Sequence, residues 1–215
     1  RLALLDEALG REEPATGQQP WEEVRDFFHY CDNYIDSVDH AAERFAKLAG
    51  LGGANTPSAL AAWLKTRHGI SVHINRDAPL RALNRATKQL ALSSHSSPAT
   101  QAFQISHQIA LLDHDDLVNA TLDLARFQSD QARAIAKIGL ANYFAGAALM
   151  PYGAFHDAAQ TVRHDLELMA EMFGVSLEQV AHRLSTLQRP GTKGVPFFFV
   201  RVDQAGTITK RHSAA

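Results

Sequence analysis

Apolar residues in the first quarter of the chain recur at three- and four-residue intervals: Val24, Phe27 and Phe28, Cys31, Tyr34 and Ile35, Val38, Ala41 and Ala42, Phe45 and Leu48. That period puts them on one stripe and predicts a long amphipathic helix from Pro20 to about Ala49. Pro20 suits a first helical turn, Glu22 and Glu23 complement the helix dipole, and Gly50-Leu51-Gly52-Gly53 ends the run. The stripe covers about three and a half heptads, enough either to pack on its own domain or to pair with a second copy. No strand pattern precedes the glycines and no Lys-Ser/Thr follows them, so they do not read as a phosphate loop.

Further on, Thr56-Pro57 opens a short helix that Gly69 closes, with Ala59, Leu60, Trp63 and Leu64 as its buried side. The pattern then changes to period two. Ile70 to Ile74, Arg81-Ala82-Leu83 and Gln89 to Leu92 read as strands of a small sheet. Ser97-Pro98 starts a helix through His107, and Asp113 to Asp116 breaks or caps between it and the next. Asn119 to Phe127, Asp130 to Met150, Gly153 to Phe173 and Ser176 to Gln188 carry helical periodicity, Val195 to Val202 reads as a strand, and Asp203 to Gly206 turns it into Thr207 to Arg211. The expected class is α+β, mostly helical: a small sheet plus helices, preceded by the long helix. The expected organisation is a linker and that helix over residues 1–56, a ligand-sensing domain over 57–188, and the start of a C-terminal segment over 189–215. Residues 10–20 have linker composition.

Composition narrows the function classes. With 46% apolar and 20% charged residues the chain is an ordinary globular protein, and its formal charge of -2 gives no overall electrostatic footprint for nucleic acid. Any DNA contact is therefore expected outside these residues. No run approaches the roughly 20 apolar residues of a membrane span, there is no signal-like leader, and a cytoplasmic location is the expectation. A single cysteine, Cys31, excludes an internal disulfide and a four-thiolate metal or iron–sulfur site built from one copy of the chain. Opening on Arg1 and ending within an expected hairpin, the chain is expected to be a piece of a longer protein.

The chemistry centres on His107-Gln108-Ile109-Ala110-Leu111, at the spacing of the His-Glu-x-x-His motif of zinc peptidases. Two histidines at i and i+4 share one helix face and can hold zinc, while the glutamate takes a proton from metal-bound water. Leu111 cannot ligate and Gln108 cannot serve as the base.

The run from Ala102 to Leu112, followed by Ala141-Asn142-Tyr143-Phe144-Ala145-Gly146 through Tyr152, resembles the ImmA/IrrE family of zinc-peptidase-like domains. The resemblance implies a degenerate zincin-like core whose third ligand, usually a glutamate, is replaced by Ile138. Residues 165–215, with Phe173-Gly174-Val175-Ser176, Val180 to Leu184, Thr186 to Pro190 and Gly194 to Asp203, resemble the short-chain fatty acyl-CoA regulators, bacterial transcription factors of propionate and acetate metabolism. That resemblance implies an XRE-type DNA-binding domain before this chain, a sensor domain here that binds propionyl-CoA or acetyl-CoA, and a homodimer. It also implies a cysteine-bearing segment after the chain, the one place for an iron–sulfur centre.

An acyl-CoA site needs cations for phosphate and a partly apolar slot. Arg76, Arg81 and Arg85 on the sheet and Arg126 and Arg133 on the helices are candidate phosphate contacts, and Phe103, Tyr143, Phe144, Met150 and Tyr152 are candidate slot residues, the polar tips of Tyr143 and Tyr152 favouring them over the phenylalanines. The ligand-binding set is accordingly Arg81, Phe103, His107, Arg126, Tyr143 and Tyr152, with no catalytic residue and no metal ligand. His107 reads equally as a hydrogen-bonded core residue. A different class, a hydrolase with a metal rearranged around His107 and Asp113 to Asp116, is the alternative. Leu168 to Leu184 has a helix-turn-helix outline, but Asp165, Glu167, Glu171 and Glu178 outnumber Arg163 and Arg183, so it reads as a packed pair.

Overall fold

Alanine dominates the buried side of the longest helix, and this is what lets several others approach it. The computed structural model describes residues 19–51, 57–202 and 208–213. Helices α1 (Pro20–Tyr30), α2 (Asp36–Leu48) and α3 (Pro57–His68) precede strands β1 (Ser71–Asn75), β2 (Arg81–Asn84) and β3 (Gln89–Ser93). Then come α4 (Pro98–Asp113), α5 (Asp115–Ala125), α6 (Asp130–Leu149), α7 (Tyr152–Thr161), α8 (Leu166–Phe173), α9 (Leu177–Leu184) and a hairpin of β4 (Phe198–Val202) and β5 (Ile208–Ser213). The protein is mostly helical, with one three-stranded sheet beside the helices. Helix α6 contacts α1, α2, α4, α5 and α9, burying Ala132, Ala136, Ala141, Ala145, Ala147 and Ala148 together with Leu140, Tyr143, Phe144 and Leu149. At Gly139 a Cβ would lie 2.9 Å from Phe28 Cε2, so that crossing of α1 and α6 requires a hydrogen there.

In the sheet, β3 lies between its neighbours, parallel to β1 (Val72 opposite Leu90) and antiparallel to β2 (Arg81 opposite Leu92). Leu90 and Leu92 point into the core, and α4 leaves this sheet through a Ser97 cap whose side chain accepts from Thr100 N at 3.2 Å. Register and cap together fix α4, and with it His107, against the start of β2.

Three sequence expectations change. The long helix is two, because Asp32 and Asn33 adopt left-handed backbone (φ 51° and 56°), which short polar side chains tolerate better than most. The apolar stripe survives this bend, since Tyr34 and Ile35 are buried within it and both helices pack on α6. The run from Gly153 to Phe173 likewise splits at Arg163 and His164 (φ 52° and 61°), after which Asp165 caps α8 by accepting from Leu168 N at 3.0 Å. The last strand pair starts later than expected, at Phe198 instead of Val195, beyond Pro196, which has no N–H to donate. The expected linker at 10–18, Gly52-Gly53, Thr56 and the turn at 203–206 lie outside the described residues.

A buried ionic cluster ties α2 to the far end of the chain. Asp39, fully buried, takes two bonds from Arg183 of α9 (Oδ2 to Nη1 2.7 Å, Oδ1 to Nη2 3.2 Å), one from Tyr143 Oη at 2.7 Å and one from Arg189 Nη2 at 3.1 Å. Arg189 also reaches Glu43 at 2.7 Å and Tyr34 Oη at 2.8 Å, so two carboxylates balance two guanidinium groups. Burial alone would raise the Asp39 carboxyl, but the two arginines and the Tyr143 hydroxyl bring it below its ordinary value. Removing one partner of such a buried pair strands the other charge, at a cost of about 3–5 kcal/mol. Urea unfolding of Asp39→Ala is expected to show a loss of that order, whereas a loss under about 1 kcal/mol would mean the cluster behaves like a surface pair. Because the folded carboxyl is depressed, its contribution is complete above the unfolded value of about 3.9 and disappears as pH falls through the lower folded value.

Candidate functional site

Four residues of α4 and α6 carry the remains of the peptidase chemistry. His107 is 2% exposed, and its Nδ1 lies 2.7 Å from Asn142 Oδ1. A carbonyl oxygen only accepts, so Nδ1 carries the hydrogen and Nε2 keeps a lone pair. That Nε2 is buried and has no hydrogen-bond partner. Burial first, then the nearby Arg81 charge, holds the imidazole down to about 4 despite the Asn142 bond, so it is neutral at physiological pH. Leu111 packs at the edge of the core and Ile138 stands half-exposed on α6. One imidazole with two apolar side chains does not fit a zinc ion, and Gln108 carries no basic lone pair suited to activating water.

The rearranged hydrolase does not form either. The Asp113 carboxylate is taken by Trp63 Nε1 (2.9 Å), Arg67 Nε (3.2 Å) and His68 Nε2 (2.5 Å), and Asp115 by Lys137 Nζ (2.7 Å) and Asn119. Among the described residues no three His, Cys, Asp or Glu side chains converge as metal ligands.

The expected binding residues separate into distinct settings. Arg81 lies beside the His107 turn, half-buried, with Nη1 3.3 Å from Gln104 Oε1. Phe103 and Tyr143 line a cavity of about 280 Å³ between α4, α6 and α9, together with Thr100, Asn142, Gly146, Met150, Gln179, His182 and Arg183. The Tyr143 hydroxyl is turned away to Asp39 and to Ile35 N, so its ring faces the cavity and its polar tip belongs to the ionic cluster. Tyr152 donates to Thr192 O and accepts from Arg189 N, both at 2.9 Å, with the Arg189 guanidinium 4.1 Å above its ring. Arg126 caps α5 at the surface with left-handed backbone, and Arg133 pairs with Asp123 at 2.7 Å. Arg76 and Arg85 are exposed.

A second, larger cavity of about 620 Å³ opens between the α1–α2 bend and α5, floored by Phe27, Cys31, Ile35, Leu124 and Phe127. Glu23, Asp26 and Asp36 rim it and no cation lines it, a field that repels phosphate. Arg183, one of the two cations in the helix-turn-helix outline, is 2% exposed and committed to Asp39, which leaves α8 and α9 a packed pair.

Sequence reading did not single out Asp39 or Arg189, and it met Arg183 only as a helix-turn-helix cation and Asn142 only as part of the Ala-Asn motif. A signal existed for Asp39, since it falls on the same helical face as Ile35, Ala42 and Ala46, where a carboxylate needs a partner. The partners, Tyr143, Arg183 and Arg189, lie 104, 144 and 150 residues away and carry no local mark.

The fold and site together define a zinc-peptidase-like domain from which the base and two metal ligands are gone. Comparison with known proteins agrees: residues 65–185 match the IrrE N-terminal-like domain, and 186–215 match the C-terminal region of the short-chain fatty acyl coenzyme A regulators. This chain belongs to the short-chain fatty acyl coenzyme A regulators, with an IrrE-like domain as its main body. A propionyl-CoA carboxylase regulator of Cereibacter sphaeroides is 61% identical over the whole chain, which spans 46% of that relative. The HTH-type transcriptional regulator PrpR of Mycobacterium tuberculosis is 46% identical over 94% of the chain and 42% of its own length. A solved Mycobacterium tuberculosis transcriptional regulator superposes with a TM-score of 0.87 at 46% identity, covering 92% of this chain and 61% of that one. The chain thus spans somewhat under half of these curated relatives, which are named as regulators and not as enzymes.

The His107 assignment predicts a direct measurement. Imidazole ¹⁵N resonances at pH 6 are expected to show the neutral Nδ1–H form, with protonation near pH 4, and a midpoint near 6.5 would contradict it. Since the unfolded ring takes its proton near 6.5, this group lowers stability progressively as pH falls from about 6.5 to about 4 and not further below.

Proposed function

We propose that this chain is the ligand-sensing part of a bacterial transcription regulator of short-chain fatty acid metabolism, with residues 57–188 as its body and a short-chain acyl-CoA, propionyl- or acetyl-CoA, as effector. The observation that carries the reading is the cavity between α4, α6 and α9, one wall of which is Arg183. Its about 280 Å³ suits a short acyl group and the adjoining thioester arm, while the nucleotide end of CoA lies outside it. The lining mixes apolar Phe103, Gly146 and Met150 with the polar Asn142, Gln179 and His182 and the charged Glu178 and Arg183. Loss of the hydrolytic groups is consistent with the same reading, because no metal ligand set among the described residues stands near the cavity to attack a thioester.

Arg183 faces the ligand on one side and Asp39 on the other, so occupancy biases the contact between α9 and α2. A ligand shifts an equilibrium only by its differential affinity for the two arrangements, about 1.4 kcal/mol per tenfold preference. The regulator acts as a homodimer in the cytoplasm and meets DNA through a domain outside this chain, α2 passing the change toward it. Cys31 alone cannot hold an iron–sulfur cluster, so such a centre belongs to a following segment.

Gly146 gives the test. A Cβ there meets nothing within 4 Å, so Gly146→Leu starts into the cavity from open space, and leucine favours the helix by roughly 1 kcal/mol over glycine. Calorimetry with propionyl-CoA is expected to show binding to the unaltered chain and at least tenfold weaker binding to the variant, with thermal stability kept or raised. No heat with propionyl-CoA, acetyl-CoA or free CoA would sink the proposal.

A further inference from the structure

One turn of α4 brings together a cation without a counter-ion and an acceptor without a donor. Arg81 is half-buried, yet its one bond is the 3.3 Å contact to the neutral Gln104 amide, and no carboxylate pairs with it among the described residues. Arg76 and Arg85 are exposed, and Arg133 has its Asp123. Gln104 and His107 are three residues apart, so they share a helix face. On that face His107 Nε2 is buried with no partner, while Nδ1 engages the Asn142 oxygen. Asn142 itself is exposed, lines the cavity between α4, α6 and α9, and leaves its amide nitrogen free to donate outward.

We propose that this turn is a subsite for an oxyanion, a phosphate or a carboxylate, with the Arg81 guanidinium supplying the charge and the Asn142 amide nitrogen a further donor. The inference rests on the acyl-CoA reading only for which molecule carries the anion. Guanidinium groups bind phosphate and carboxylate oxygens through paired N–H donors, and partial removal from water strengthens the attraction. Arg81 is already desolvated, as its lowered value of about 10 shows, so an arriving anion regains what burial cost the cation. The charge acting on His107 is Arg81 from β2, with the neutral Gln104 on its own helix and the neutral Asn142 from α6. An anion against Arg81 offsets the Arg81 part of the shift and moves His107 Nε2, the orphaned acceptor, toward protonation, while burial still holds the ring down.

The subsite is separable from the acyl pocket by choice of probe. Inorganic pyrophosphate, sodium propionate and propionyl-CoA are each titrated into the chain, its Arg81→Gln variant and its Arg81→Lys variant, reading heat and the His107 ring ¹⁵N shifts. A His107 shift with pyrophosphate that Arg81→Gln abolishes supports a phosphate occupant, and one with propionate alone supports a carboxylate occupant. Arg81→Gln is also expected to weaken propionyl-CoA at least tenfold when the phosphate is the occupant, with Arg81→Lys between it and the unaltered chain, all three sharing one circular-dichroism spectrum and melting temperature within a few degrees. Pyrophosphate binding without propionyl-CoA binding upholds the subsite and removes the acyl-CoA reading. Propionyl-CoA binding that Arg81→Gln leaves unchanged, with no His107 shift from either simple anion, overturns the subsite and leaves the acyl-CoA reading intact. Absence of both heat and a His107 shift with all three probes overturns both.

Discussion

A carboxylate with no exposed surface, Asp39, holds two arginines from the other end of the described chain, and the rest of the architecture is arranged around that contact. It joins α2 to α9 and to the segment after α9, while Tyr143 of α6 donates into the same oxygen that Arg183 binds. A purely apolar junction here would be as stable or more so, because burying charges costs several kcal/mol per ion before they attract one another. What the ionic junction adds is direction: hydrogen bonds of defined length accept one placement of α9 and penalise small displacements from it. That property suits an element whose position is read out by another part of the protein.

Seen from this cluster, the degenerate peptidase core has a clear division of labour. Helix α6 supplies an alanine-rich face that five helices share, and its two ends of chemistry are Asn142, turned to His107, and Tyr143, turned to Asp39. These adjacent residues put the cavity and the ionic cluster on neighbouring sides of one helical turn. Loss of Glu, His and Glu from the peptidase pattern removes hydrolysis, and the cavity between α4, α6 and α9 reaches His107 only through its partner Asn142.

Much of this was legible along the chain, for reasons that particular residues show. Period-two alternation at Ile70 to Ile74 and Gln89 to Leu92, and the Ser97-Pro98 and Ser176 caps, mark their elements locally, and the structure forms them where the pattern puts them. The breaks at Asp32-Asn33 and Arg163-His164 carry no glycine or proline, so the left-handed backbone there had no strong sequence mark. At the site, His107 stood out by motif, whereas Arg81 is distinguished from Arg76, Arg85 and Arg126 by burial and from Arg133 by the lack of an ion pair, differences that tertiary structure creates. The hydroxyls of Tyr143 and Tyr152 looked available to a ligand because their partners, Asp39 and Thr192, are 104 and 40 residues away.

The most direct test is a crystal structure of the chain bound to propionyl-CoA. The account predicts the propionyl group between α4, α6 and α9, in contact with Gly146 and His182, with the phosphates directed toward Arg81 and the Asp39–Arg183 contact altered from its unliganded geometry. Propionyl-CoA seated instead in the acid-rimmed cavity between α1, α2 and α5, with Arg183 and Asp39 unmoved, would contradict it.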